Sequence, residues 1–244
     1  MRIPRIHVFG ELNVGTEVLL PAQAGEHLSR VLRLECGHPI TLFSGDGREF
    51  RAEISQLSKR AVSARLLEAI DASNRESPLR LTLAQGVARG EKMDLILQKA
   101  TELGVSRIVP LITERTEVKL DAERTERRLA HWQAVIAGAC EQSGRVRLPV
   151  VESPLRIGAW AATLDDGSGL RLALDPRADA SVRSLPSFMA ATLVVGPEGG
   201  LAPQDLNILA QAGFRGLRLG PRILRTETAG LAALTALQAI HGDL

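Results

Sequence analysis

Tyrosine is absent from these 244 residues, and aromatics as a whole reach only 3%. Such a chain is not expected to read single-stranded nucleic acid mainly by stacking bases on aromatic platforms. Cysteine is scarce as well. Cys36 and Cys140 are too few and too far apart for a disulfide framework or a zinc site. The five histidines are scattered, so no metal is expected. No apolar run approaches the length of a membrane span, and the first residues lack a signal-peptide pattern. A cytoplasmic protein with no membrane partner is the expectation. An excess of one charge is missing too, the net charge being only +2. Residues 1–72 carry nine basic and nine acidic side chains, and the remainder carries twenty-one and nineteen. Any surface for nucleic acid must therefore be a local arrangement of arginines.

What is present falls into two regimes. Over residues 1–70, short alternating or β-branched stretches recur at 6–9, 17–20, 39–43, 49–54 and 61–67, separated by turn residues. Strands at that spacing predict a small barrel. A helical pattern over 26–32 interrupts them and would bring His27, Arg30 and Arg33 toward one side. A solvated helix face is the plainer reading of that trio. The polar stretch DASNRESP, residues 71–78, predicts a linker. Domains are therefore expected over 1–72 and 73–244.

Beyond the linker the period changes. Strands are expected at 79–87, 106–112, 146–151 and 170–174, and helices at 91–103, 123–142 and 155–162. Met93, Ile96, Leu97 and Ala100 fall on one face of the first helix, and Gly104 suits its end. Such alternation predicts an α/β domain with a mostly parallel sheet covered on both faces.

The chain is organised around residues 193–230. Leu193, Val194 and Val195 lead into GPEGG at 196–200, with three glycines in five residues. Such a backbone can take positive φ and approach a ligand closely. A second strand at 217–219 runs through Gly220 into RILRTET at 222–228 and then an Ala/Leu-rich helix. Two irregular loops thus meet beyond the carboxyl ends of two strands, where open α/β sheets bind ligands. The loop is neither a Walker loop nor a dinucleotide fingerprint. Glu198 argues against a phosphate cradle and suits a neutral or cationic ligand. A turn that merely reverses the chain is the simpler alternative.

GPEGG followed about twenty residues later by LGPRILRTETA resembles the paired cofactor loops of SPOUT RNA methyltransferases. The similarity also covers MRIPR at 1–5, GEKM at 90–93, KATELGV at 99–105 and EQSGR at 141–145. Among SPOUT enzymes these markers are most similar to the group that methylates N3 of a uridine in bacterial 16S ribosomal RNA. One departure is Ala202, where relatives usually carry a hydroxyl cap, a loss of roughly 1 kcal/mol.

The resemblance implies a PUA-like RNA-binding β-barrel followed by a SPOUT domain with a deep trefoil knot. It implies S-adenosylmethionine as cofactor, 16S rRNA or an assembling small subunit as partner, and a homodimer completed by the last helix, with Leu234 at its interface. Leu174, Gly196, Glu198, Gly199, Leu219, Gly220, Ile223 and Leu224 are then the cofactor-binding candidates. Glu198 could favour the sulfonium or could cap a nearby helix. Arg225 is the candidate for stabilising a deprotonated uracil through its carbonyl oxygens, as an oxyanion donor does. A salt bridge to Glu227 or to a partner subunit is its alternative role. The proton acceptor is Glu227 or a water. Arg2, Arg5, Arg30, Arg33, Lys92 and Arg145 are the RNA-binding candidates. An inactive ribosome-assembly protein and a tRNA ribose methyltransferase are the competing functions.

Overall fold

The computed structural model describes residues 3–58, 61–118, 121–165 and 169–244. They form two compact units: Met1–Glu76 with Cys140–Leu148, and Ser77–Ala139 with Pro149–Leu244.

Five strands make the first unit: β1 (Arg5–His7), β2 (Glu17–Leu19), β3 (Pro39–Phe43), β4 (Arg48–Leu57) and β5 (Val62–Asp71). They pair in the order β1-β3-β4-β5-β2, with β1 parallel to β3 and the other pairs antiparallel. Alternation decides the inward face. Phe50, Ala52 and Ile54 of β4 and Val62, Ala64 and Leu66 of β5 are buried in one core. Two register shifts interrupt the β4–β5 ladder, and the sheet forms a half-barrel.

Between β2 and β3, helix α1 (Ala22–Glu26) runs into a π-helical turn, His27–Val31. The Leu32 N–H reaches back five residues to the His27 carbonyl at 3.0 Å. This wider turn removes the spacing that an α-helix would have given His27, Arg30 and Arg33. Arg33 lies beyond it at φ 52°.

Residues 140–148 complete this unit through carboxylates. Glu76 Oε1 accepts the N–H groups of Val146 and Arg147, each at 2.9 Å. Its Oε2 accepts two N–H bonds from the Arg145 guanidinium, at 2.8 and 3.1 Å. The strand expected over 146–151 is consequently short. Arg147 makes an isolated bridge to Asp46, and the ladder proper is confined to Val150–Val151, β8, because the donors before it already have a partner.

The second unit is a parallel sheet. Its other strands are β6 (Arg80–Gly86), β7 (Arg107–Ile112), β9 (Leu155–Arg156), β10 (Leu170–Leu174), β11 (Ala190–Val195) and β12 (Arg215–Leu217). The order is β12-β10-β11-β6-β7-β8, with β9 also on β7, and every pairing is parallel. The helices are α2 (Glu91–Glu102), α3 (Ala122–Ser143, whose residues from Cys140 belong to the first unit), α4 (Ile157–Ala161), α5 (Pro203–Gln211) and α6 (Thr226–His241). The apolar face of α2 is buried as its 3.6-residue period requires, and Gly104 ends it at φ 82°. Residues 155–156 are extended, so the expected helix from 155 starts at Ile157 instead.

Helix α6 packs against α2, β6 and β11 of its own unit. Leu234, expected at an interface between copies, has no exposed surface here. It belongs to the unit's own core, and Ile240, 51% exposed, marks the outer side. No helix among the described residues is long and apolar enough to cross a membrane.

Candidate active site

Strands β10, β11 and β12 lie on one side of the sheet and point the same way, so the loops after them gather at one edge. There they line a cleft of about 620 Å³. Leu174, Gly196, Glu198 and Gly199 line it from the first two loops. Leu219, Gly220, Ile223 and Leu224 line it from the third. Arg225 and Lys92 stand on its wall, and Glu227 is not among the lining residues. The Glu227 Oε2 is instead buried without a hydrogen-bond partner among the described residues.

The glycine turn is shaped by backbone contact. A Cβ on Gly196 would fall 2.7 Å from Gly200 C and Leu201 N, so no side chain fits there. Gly200 takes φ 70°, in the left-handed region that favours glycine. From β6, Gly86 meets the turn so closely that a Cβ would lie 2.5 Å from Pro197. Arg115 braces the outer side by donating from Nη1 to the Gly199 carbonyl at 2.8 Å.

Glu198 faces the start of α2. Its Oε1 accepts the Arg89 N–H at 3.1 Å and the Lys92 ammonium at 3.3 Å. Gly90, the N-cap of α2, has no side chain to do this. Burial pushes the Glu198 carboxyl up, but these donors prevail and hold it below the ordinary range. Asp175 likewise sits low despite its burial, held by the N–H and guanidinium of Arg177. Ala202 offers no hydroxyl cap to α5, but Asp205 Oδ2 accepts the Ala202 N–H at 2.9 Å. That supplies the reciprocal half of a capping box.

Behind the turn, the Thr226 hydroxyl donates to the Gly196 carbonyl at 2.6 Å and accepts the Gln85 amide at 2.9 Å. This bond ties the glycine turn to the first residue of α6. Arg225, the N-cap of that helix, is exposed and makes no ion pair among the described residues. The alternative salt bridge to Glu227 is therefore not formed within the chain.

The remaining RNA candidates lie in the first unit, and they divide. Arg5 is bonded to Glu49 at 2.7 and 3.0 Å and to the carbonyls of Cys140, Glu141 and Arg145. Arg145 is 6% exposed and paired with Glu76. Both guanidiniums are committed to the interior and present no face to a phosphate. Arg30 is exposed beside Glu26, and Arg33 is exposed. Arg2 lies outside the described residues.

A model for an RNA methyltransferase domain matches residues 75–238, and one for an RNA methyltransferase PUA domain matches residues 20–67. The chain belongs to the RNA methyltransferase family. It is 32% identical to ribosomal RNA small subunit methyltransferase E of Buchnera aphidicola from Schizaphis graminum, over 100% of this chain and 98% of that one. The Bacillus subtilis protein of the same name is 34% identical over 89% of each. Among solved structures, a Neisseria gonorrhoeae ribosomal RNA small subunit methyltransferase E bound to S-adenosyl methionine superposes with TM-score 0.92 at 38% identity, covering both chains fully. A Legionella pneumophila methyltransferase with bound SAM gives TM-score 0.95 at 41% identity, again over both whole chains.

In this methyltransferase fold, the sequence reading missed Gln85, Thr226, Arg115 and Asp175. Thr226 is adjacent to Arg225 in the chain, but its partner Gln85 lies 141 residues away. No local pattern announces such a pair.

Proposed function

We propose that this chain binds S-adenosylmethionine in the cleft and methylates N3 of a uridine in bacterial 16S ribosomal RNA. The observation that carries this reading is Arg225, exposed and without an ion-pair partner among the described residues, on the wall of a glycine-built cleft. The cleft volume is in the range of small-molecule sites. Gly196 and Gly199 line the cleft from a turn so tight that a Cβ on Gly196 would strike the backbone of Gly200 and Leu201. Leu174, Leu219 and Leu224 supply apolar wall for an adenine, and backbone groups of the glycine turn supply polar edges. When bound, S-adenosylmethionine supplies an electrophilic methyl group.

The residues divide the remaining work. Gly196, Gly199 and Gly220 let the backbone approach the cofactor. Glu198 holds the glycine turn against α2. Arg225 offers its planar fork to a uracil carbonyl, stabilising the negative charge left when N3 loses its proton. Glu227 has a buried oxygen and is not on the cleft wall, so a water is the better-placed proton acceptor. Exposed Arg30 and Arg33 of the first unit hold RNA phosphates. The proposal includes a trefoil-knotted second unit, a homodimer that uses the outer side of α6, and a small ribosomal subunit or assembly intermediate as substrate. Sedimentation of the purified protein at micromolar concentration tests the dimer, and a monomer would exclude it.

Mass spectrometry of nucleosides from 16S rRNA tests the function. Deleting the gene should remove one N3-methyluridine, and the wild-type gene should restore it. An unchanged nucleoside profile would overturn the assignment.

A further inference from the structure

The cleft holds more positive charge than its cofactor can use. Lys92, Arg115, Arg177, Arg222 and Arg225 line it, against only Asp175 and Glu198. Both carboxylates already have cationic partners, Asp175 with Arg177 and Glu198 with Lys92. Three guanidiniums are left without a carboxylate among the described residues: Arg115, Arg222 and Arg225. S-adenosylmethionine carries a sulfonium and an ammonium against one carboxylate and is itself a net cation. A site made for that ligand alone gains nothing from surplus arginines, since like charges repel. The surplus fits a polyanion.

The three arginines are not equivalent. Arg115 is partly engaged, with one N–H on the Gly199 carbonyl. Arg225 begins helix α6 and is assigned to the uracil. Arg222 is exposed and makes no hydrogen bond or ion pair among the described residues. It sits three residues before Arg225 on the same loop, with Ile223, 85% exposed, beside it. We infer that Arg222 holds a backbone phosphate next to the target uridine, so that the methyl-transfer unit grips RNA itself. This rests on the function proposed above and adds a phosphate subsite to it. The exposed Ile223 then lies between a phosphate-binding and a base-binding arginine, where an apolar surface suits an unstacked pyrimidine.

The test compares Arg222→Gln and Arg222→Lys with the wild type, using a short single-stranded rRNA fragment as probe. RNA affinity is titrated across a range of salt, S-adenosylmethionine affinity is measured by calorimetry, and mass is followed by sedimentation. Arg222→Gln should lower the slope of log affinity against log salt by roughly 0.7 unit, the value for one phosphate contact on a single strand. Its RNA binding should weaken roughly tenfold, as expected for one charge-assisted contact. Arg222→Lys should keep the slope, because the ammonium keeps the charge. Cofactor affinity and sedimentation should match the wild type in both. An unchanged slope in Arg222→Gln would overturn the inference. So would a loss confined to S-adenosylmethionine affinity, which would assign Arg222 to the cofactor's carboxylate. A change in mass would also overturn it by making Arg222 a contact between copies. Salt dependence is a binding measurement, so it distinguishes this failure from a failure of the methylation assignment.

Discussion

Arg145 lies against Glu76 with its side chain 7% exposed, whereas Arg225 stands on the cleft wall with no ion pair among the described residues. Both belong to the short motifs that carry the family resemblance, and both are arginines within a few residues of a glutamate in sequence. Burial and partners separate them. In the first unit, Arg5 and Arg145 satisfy carboxylates and carbonyls that would otherwise be buried alone. In the second, Arg222 and Arg225 line the cleft with no ion pair among the described residues. The contrast predicts that an interior arginine acts on folding and a cleft arginine on substrate.

The sharpest way to break that contrast is to remove Glu76. Glu76→Ala removes two hydrogen bonds from the Arg145 guanidinium and orphans the N–H groups of Val146 and Arg147. Losing the hydrogen bonds of two backbone N–H groups and a guanidinium to one carboxylate should cost about 2–4 kcal/mol, read as a lower urea midpoint. A change below about 1 kcal/mol would show the pair to be dispensable, as surface pairs usually are. Next comes Arg225→Ala. Single-turnover methylation should fall by about 10² to 10³, with cofactor affinity and the urea midpoint retained. Raising the pH should restore part of the rate, because more of the uracil is then deprotonated. Loss of stability together with cofactor binding, without rescue by pH, would move Arg225 into the structural group.

The smallest effect concerns Glu198. Despite its burial the carboxyl is held below the ordinary glutamate range, so its stabilising contribution is complete above that range. The contribution is lost as pH falls through the lower folded value, where protonation releases Arg89 and Lys92. Cofactor affinity should therefore be level from neutral pH down to the ordinary carboxylate range and decline below it. Glu198→Gln should bind more weakly at neutral pH and lack the acid decline. An identical pH profile in both would show that another group controls the turn.

Much of this could be read from the chain because the signals were periodic or conformational. The α2 stripe from Met93 to Ala100, the stop at Gly104 and the turn at 196–200 each follow from local rules, and each sits where those rules put it. All eight cofactor-binding candidates line one cleft for the same reason: loops after adjacent parallel strands must converge. What escaped was set by distant partners. The strand at 146–151 was shortened by Glu76, some seventy residues earlier. The same carboxylate binds the Arg145 guanidinium. The Thr226–Gln85 bond joins the ends of the second unit, and the π-turn at His27–Val31 has no hydrophobic period of its own. Residue type announces what a side chain can bind. Its neighbours in space decide whether it is already bound.

The Glu76 clasp has a consequence for biosynthesis. A ribosome makes residues 1–76 well before 145–147, so the carboxylate that closes the first unit emerges before its three partners do. Until then Arg5 also lacks the carbonyls of Cys140, Glu141 and Arg145. The nascent half-barrel must wait, with Glu76 and Arg5 hydrated, while more than sixty further residues are threaded out. The amino-terminal unit is thus first to be translated but cannot be first to be finished, and cutting the gene at its apparent boundary would leave behind the peptide that locks it.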